Sequence, residues 1–140
     1  MNSYAQRTER YRTQTNANDL PILHRQSGAS DFLNASDRCR TILPIFYTNI
    51  EGEAINRLYR AVDEGAQGLV MNPAGFNHAG YALRDCVRAL PFPYVEVHMT
   101  NIEKREIHSV LTSVAVGAVF GFGVHSYVLG LDAMLGLLRK

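Results

Sequence analysis

The chain has 140 residues, 46% hydrophobic and 19% charged, a composition that fits one folded domain with one core and is globular, not that of a disordered chain. Lys plus Arg number 14 against 13 Asp plus Glu, so there is no basic footprint for nucleic acid or an anionic membrane surface. Cys39 and Cys86 match no metal spacing and read as free thiols of a reducing, cytoplasmic compartment.

Residues 1–19 are polar and lack the apolar stretch of a secretory leader, so they read as an exposed arm or a disordered tail ahead of a single domain at 20–140. The run 20–24 (LPILH) is the weakest strand candidate, because Pro21 suits only a strand start. A short helix within 30–40 would lead to a second strand at 41–48 (TILPIFYT). Residues 50–64 then carry Ile55, Leu58, Tyr59 and Val62 at the spacing of one helix face, and Gly65 ends the pattern. A third strand is expected at 68–72 (GLVMN). The helix after it, 78–90, has Ala82, Leu83, Val87 and Leu90 on one face and stops at Pro91 and Pro93. Strands at 94–99 (YVEVHM) and 115–120 (AVGAVF) follow. The last helix, 124–138, carries Tyr127, Val128, Leu131, Leu135 and Leu138. His125 and Asp132 interrupt this apolar region, so it does not read as a membrane span.

Short apolar strands alternating with helices predict an α/β fold with a sheet covered on both sides. The expectation is a flavodoxin-like three-layer sandwich with a five-stranded parallel sheet, order 2-1-3-4-5. Ligands of such sheets bind at the carboxyl ends of the strands.

Those ends are rich in polar groups. Asn72 stands at one strand tip, Gly75 suits the turn after it, and Asn77 is placed to cap the next helix. Glu96 and His98 are two residues apart on one strand and so share a face. Backbone N–H groups around residues 99–102, at a helix start, would form an anion site. Each residue also has a plainer reading. Asn72 can tie its own turn, His78 can start a helix, and His98 can be a hydrogen-bonded core histidine. Arg84 and Asp85 can be a solvated helix face. Glu96 is harder to place that way, because a buried carboxylate is costly unless paired. It is expected to orient His98 or an arginine. The five histidines are scattered, with no His-x-His or Cys-x-x-Cys spacing, so no metal site is predicted. Neither a serine nucleophile elbow nor a phosphate loop is found.

Residues 72–85, NPAGFNHAGYALRD, resemble the NPGAxTHTSxALRD segment of type II 3-dehydroquinate dehydratases. Residues 96–102, EVHMTNI, resemble that family's EVHISNI. The stretch 47–58, YTNIEGEAINRL, is similar to its SNHEGELIDxI, and the tail from Val114 to its VAxGVIxGFGxxGYxLALxAL. The resemblance runs in order from about Ile42 to Leu138. It implies that Asn72 lies in the active site, that His98 is the general acid toward a leaving hydroxyl, and that Glu96 supports His98. It implies substrate carboxylate binding at Met99 and Thr100, a substrate contact for His78, and delivery of Asp85 from a neighbouring subunit. Trimers, usually four to a dodecamer, are implied, as is trans elimination of water through an enolate with neither metal nor cofactor.

Two departures qualify what is implied. The family's GPNLNLLGxREPxxYG segment, which supplies a lid Arg and the Tyr base, has no full counterpart. If 20–24 is the first strand, the lid is deleted. A second alignment makes Arg7-Thr8-Glu9-Arg10-Tyr11 a shortened lid with Tyr11 as base, but leaves no room for a strand before it. The first alignment is the expected one. The family's RExFRxHS becomes REIHS here, so a substrate-binding Arg is missing and Arg105 is the nearest replacement. The dehydratase reading therefore takes its base from Tyr11, His108 or His24. A repurposed enzyme would accept a larger carbonyl substrate in an open pocket lined by Phe76, Tyr81 and Phe122. A non-catalytic oligomeric binding protein is the third reading.

Overall fold

The computed structural model describes residues 20–25 and 41–140, with side chains from Leu43 onward. Tyr11, Cys39, the 1–19 arm and the expected 30–40 helix lie outside the described residues. The elements are β1 (Leu20–Arg25), β2 (Thr41–Ile42), β3 (Ile45–Phe46), α1 (Glu51–Asp63), β4 (Ala66–Met71), α2 (Phe76–Ala79), α3 (Tyr81–Ala89), β5 (Tyr94–His98), β6 (Gly117–Phe120) and α4 (His125–Leu138). Short 3-10 turns at Glu103–Arg105 and Thr112–Val114 lie between β5 and β6.

The centre of the fold is a parallel sheet. Leu69, Val70 and Met71 of β4 pair with Tyr94, Val95 and Glu96 of β5, and β5 pairs in parallel with β6. Helices cover both faces. Leu69, Met71 and Tyr94 pack with Ala54, Leu58 and Ala61 of α1 and Leu83 and Val87 of α3. Val70, Val95 and Val97 point the other way, onto Leu131 and Met134 of α4. Each buried leucine or valine stabilises the fold by about 1.5–3 kcal/mol. Gly130 lets α4 lie directly on the strand, since a Cβ there would sit 2.5 Å from Val97 Cγ2.

The wholly parallel five-stranded sheet is not what the described residues form. The sheet order is β2-β1-β4-β5-β6, with β1 antiparallel to β4, and with a register shift between Leu23 and His24. β1 is also antiparallel to β2 and β3. A short apolar run specifies which residues alternate between faces, but nothing in it specifies the direction in which its ladder pairs. The expected strand at 41–48 is divided into β2 and β3 around Leu43 and Pro44, and a proline cannot donate to a ladder.

Two helices also differ from expectation. The buried stripe of α1 is Ala54, Leu58 and Ala61, and Tyr59 turns outward. The expected helix at 78–90 is two helices, broken at Gly80. There the chain turns so tightly that a Cβ would meet the Phe76 carbonyl oxygen at 2.5 Å. Asn77 consequently lies inside α2, buried, and caps nothing. The start of α3 is satisfied from elsewhere, by Glu51 Oε1 of α1 accepting the Leu83 N–H at 2.9 Å. Among the described residues no helix is long and apolar enough to cross a membrane.

Candidate active site

Strand β5 carries Tyr94, Glu96 and His98 on one side of the sheet and Val95 and Val97 on the other, as the two-residue period of a strand requires. The Glu96 side chain is wholly buried, and its Oε1 lies 2.6 Å from His98 Nε2. That contact answers the cost of burying the carboxylate, and it leaves Nδ1 as the imidazole nitrogen for chemistry. Phe120 of β6 stands edge-on to the His98 ring, centroids 5.1 Å apart. The imidazole is therefore held from two sides.

Asn72 directly follows β4, the neighbouring strand. Its Oδ1 accepts the Ala74 N–H at 3.0 Å, and its Nδ2 donates to the Tyr127 hydroxyl at 2.9 Å. The plainer reading of Asn72, a residue tying its own turn, is thus met. The amide also reaches α4, which fixes its orientation. The turn includes Ala74 at φ 45°, a left-handed conformation that costs a non-glycine residue about 1–2 kcal/mol.

The loop after β6 folds over the end of β5. Gly121 N–H donates to the His98 carbonyl at 3.2 Å, and Gly123 N–H to the Met99 carbonyl at 2.9 Å. Both glycines have positive φ, 93° and 59°. Gly121 also passes close to Asn101, 3.3 Å from where its Cβ would be. Ser126, fully buried, accepts the Phe122 N–H and pins the loop to α4.

The expected helix start after β5 is a three-residue 3-10 turn. Asn101 Oδ1 accepts the N–H groups of Glu103 and Lys104, at 3.1 and 3.4 Å. Asn in a turn competes for backbone donors in this way. Those two groups are therefore taken, and an anion would have to use the backbone of 99–102. Arg105 is exposed and donates to Thr100 Oγ1 at 3.3 Å, which brings these two expected substrate-binding residues together.

The remaining candidates are more scattered. His78 is exposed on α2. Asp85 lies on the outer face of α3 between Arg84 and Arg88, at 3.4 and 3.7 Å. His108 is on the surface and pairs with Glu103 at 3.1 Å. His24 is described only as a backbone position in β1. Of the three residues expected to line an open pocket, Tyr81 and Phe122 are exposed, with Arg84 over the Tyr81 ring, and Phe76 packs partly into the core. A cavity of about 400 Å³ opens at the other end of β5, beside Arg88, Phe92, Pro93 and Val116. The amino-terminal edge of a parallel sheet is not where such folds place their chemistry.

Reading strand ends missed Tyr94, Phe120 and Tyr127. Tyr94 was within reach of the argument applied to Glu96, since it lies two residues before it. Burial, then the Glu96 carboxylate it faces, hold its phenol well above the usual tyrosine range. Yet neither the Tyr94 hydroxyl nor Glu96 Oε2 makes a hydrogen bond. A buried polar atom left in that state costs about 1–3 kcal/mol.

Residues 6–135 match the family model described as dehydroquinase class II. The 3-dehydroquinate dehydratase of Caldicellulosiruptor saccharolyticus is 40% identical over 96 residues, 66% of this chain and 66% of that protein. That of Bacillus mycoides is 36% identical over 114 residues, covering 79% of this chain and 77% of its own. Among solved structures, the type II dehydroquinase of Butyrivibrio crossotus superposes with TM-score 0.60 at 32% identity, over 64% of this chain and 65% of the other. A 3-dehydroquinate dehydratase-like protein from Bifidobacterium longum gives TM-score 0.54 at 36% identity, over 66% and 71%. The matched stretch thus spans about two thirds of several of these relatives.

Proposed function

We propose that this chain, which belongs to the class II dehydroquinase family, is a hydro-lyase that removes water from 3-dehydroquinate. The observation that carries the reading is the buried Glu96–His98 pair at the carboxyl end of β5. A base removes the proton next to the ketone, and the electrons of that C–H bond form an enolate. The enolate collapses and expels the β-hydroxyl, to which protonated His98 delivers a proton as it leaves as water. Glu96 holds the imidazole in place. Asn72 orders the neighbouring strand end. Backbone groups at Met99 and Thr100, with Arg105, receive the substrate carboxylate, and His78 contacts the substrate.

Tyr11 is the base in this proposal. A phenol of ordinary pKa, about 10, needs positive charge beside it to act near neutrality. Arg7, Arg10 and Arg12 flank it in the sequence. The family match begins at residue 6, so it takes in this segment, and β1 runs antiparallel to β4 and not as the parallel first strand of the lid-less alignment; both support the shortened lid over the free arm at 1–19. His108 is a poorer base, being exposed and tied to Glu103. Asp85, on the outer face of α3, suits a site completed by a neighbouring subunit in a trimer or dodecamer. Cytoplasmic residence belongs to the same proposal. A second reading, a larger carbonyl substrate, is favoured by the exposure of Phe122 and Tyr81.

The test is to mix the protein with 3-dehydroquinate and follow the ultraviolet absorbance of the conjugated enone. Turnover supports the reading. Tyr11→Phe is then expected to lower kcat about 10²–10⁴-fold. Undiminished turnover in that variant would move the base elsewhere. No turnover by the folded wild type would send the site to the larger substrate.

A further inference from the structure

The reaction above uses Glu96 and His98 and leaves the third polar side chain of the strand, Tyr94, without a task. Tyr94 is 2% exposed, on the same side of β5. Its hydroxyl is a donor with no acceptor, and Glu96 Oε2 is an acceptor with no donor. The two side chains share that side of the strand, and the Glu96 carboxylate is close enough to act on the Tyr94 phenol.

We propose that Tyr94 is a positioning residue: its O–H closes onto Glu96 Oε2, keeps Oε1 on His98, and sets how tightly His98 holds its proton. The kinetic consequence rests on the dehydratase reading, whereas the link between Tyr94 and His98 does not.

The surroundings leave few other groups to do this. Beside Glu96 in the sheet are Met71 of β4 and Ala118 of β6. From α3, Leu83 and Val87 are apolar, and the Cys86 thiol lies beside the Tyr59 hydroxyl of α1. Arg84 of α3 lies against Tyr81 and Asp85. Glu51 of α1 is committed to the Leu83 N–H. The segment before β6 contributes Leu111, and β6 contributes Phe120 against His98.

The sign follows from the chemistry. A donor on Oε2 draws negative charge away from Oε1. Removing it returns that charge to Oε1, and the coupled Glu96–His98 pair holds its proton to higher pH. Tyr94→Phe, which deletes one oxygen, should raise the apparent pKa seen at His98 by about one unit. Placing 3-fluorotyrosine at position 94 keeps the ring but strengthens the donor, and should move it down.

The experiment is a nuclear magnetic resonance titration of the His98 imidazole in the intact protein, assigned with His98→Gln. Opposite shifts in the two variants support the proposal, and a purely structural role would not produce them. An unchanged His98 titration in folded Tyr94→Phe overturns it. If Tyr94→Phe does not fold, the fluorotyrosine protein decides: no downward shift overturns the proposal. In turnover of 3-dehydroquinate, Tyr94→Phe should lower kcat about 10-fold with KM nearly unchanged, and shift the alkaline limb upward. A wild type inactive on 3-dehydroquinate would defeat the dehydratase reading while the titration still judged Tyr94. An active enzyme with an unmoved His98 titration would defeat Tyr94 alone.

Discussion

Two Glu–His pairs of the described residues look alike on paper. Glu96 and His98 are 2.6 Å apart with side chains 0% and 5% exposed; Glu103 and His108 are 3.1 Å apart with side chains 54% and 81% exposed. The first lies between two strands and under an aromatic ring, and the second joins the 3-10 turn to the loop after it. In the buried pair neither partner can be removed without leaving a polar group in a medium that cannot solvate it. In the exposed pair water replaces either partner, and salt screens what attraction there is. Short distance alone does not make a site. Burial that forces the pairing is what marks the candidate, because it fixes the geometry in advance.

The largest expected difference is in turnover. His98→Ala should lower kcat about 10²–10⁴-fold, while His108→Ala should stay within about 2-fold. Initial rates on 3-dehydroquinate measure both, and a comparable loss in His108→Ala would erase the distinction. The next difference is in stability. Glu96→Ala should cost about 3–5 kcal/mol, and Glu96→Gln less, because the amide can still meet His98. Glu103→Ala should cost about 0.5 kcal/mol or less. Urea midpoints compare the three, and equal losses in the two alanine variants would sink the argument from burial. The smallest effect is alkaline. Folding raises the Tyr94 phenol above its unfolded value near 10. The stability it contributes is therefore complete below about pH 10 and falls as pH rises beyond, by at most about 1.4 kcal/mol per unit. Urea midpoints from pH 9 to 11 should decline less steeply in Tyr94→Phe.

Much of the site was legible because strands alternate. The two-residue step that joined Glu96 to His98 needs no tertiary information, and the structure pairs them. Asn72 at a strand tip was equally readable, but its partner Tyr127 is 55 residues away on α4 and belonged to a hydrophobic stripe. Asn77 misled for a local reason. A helix expected from 78 starts earlier and breaks at Gly80, where a close approach to Phe76 decides the bend. The helix expected at the anion site is only a three-residue 3-10 turn, and Asn101 takes the N–H groups of Glu103 and Lys104.

Periodicity, turn residues and motif spacing by themselves determined the α/β class, the parallel core of β4, β5 and β6, the family, and the side of β5 that carries Glu96 and His98. These depend on neighbours within a few residues, or on strings of residues whose order survives in the chain. Only the tertiary structure decided that β1 pairs antiparallel, that Tyr59 faces outward, that Arg105 meets Thr100, and that Tyr94 and Glu96 share an unsatisfied interior. Each of those is settled by which surface lies opposite, and a linear pattern does not contain the opposite surface.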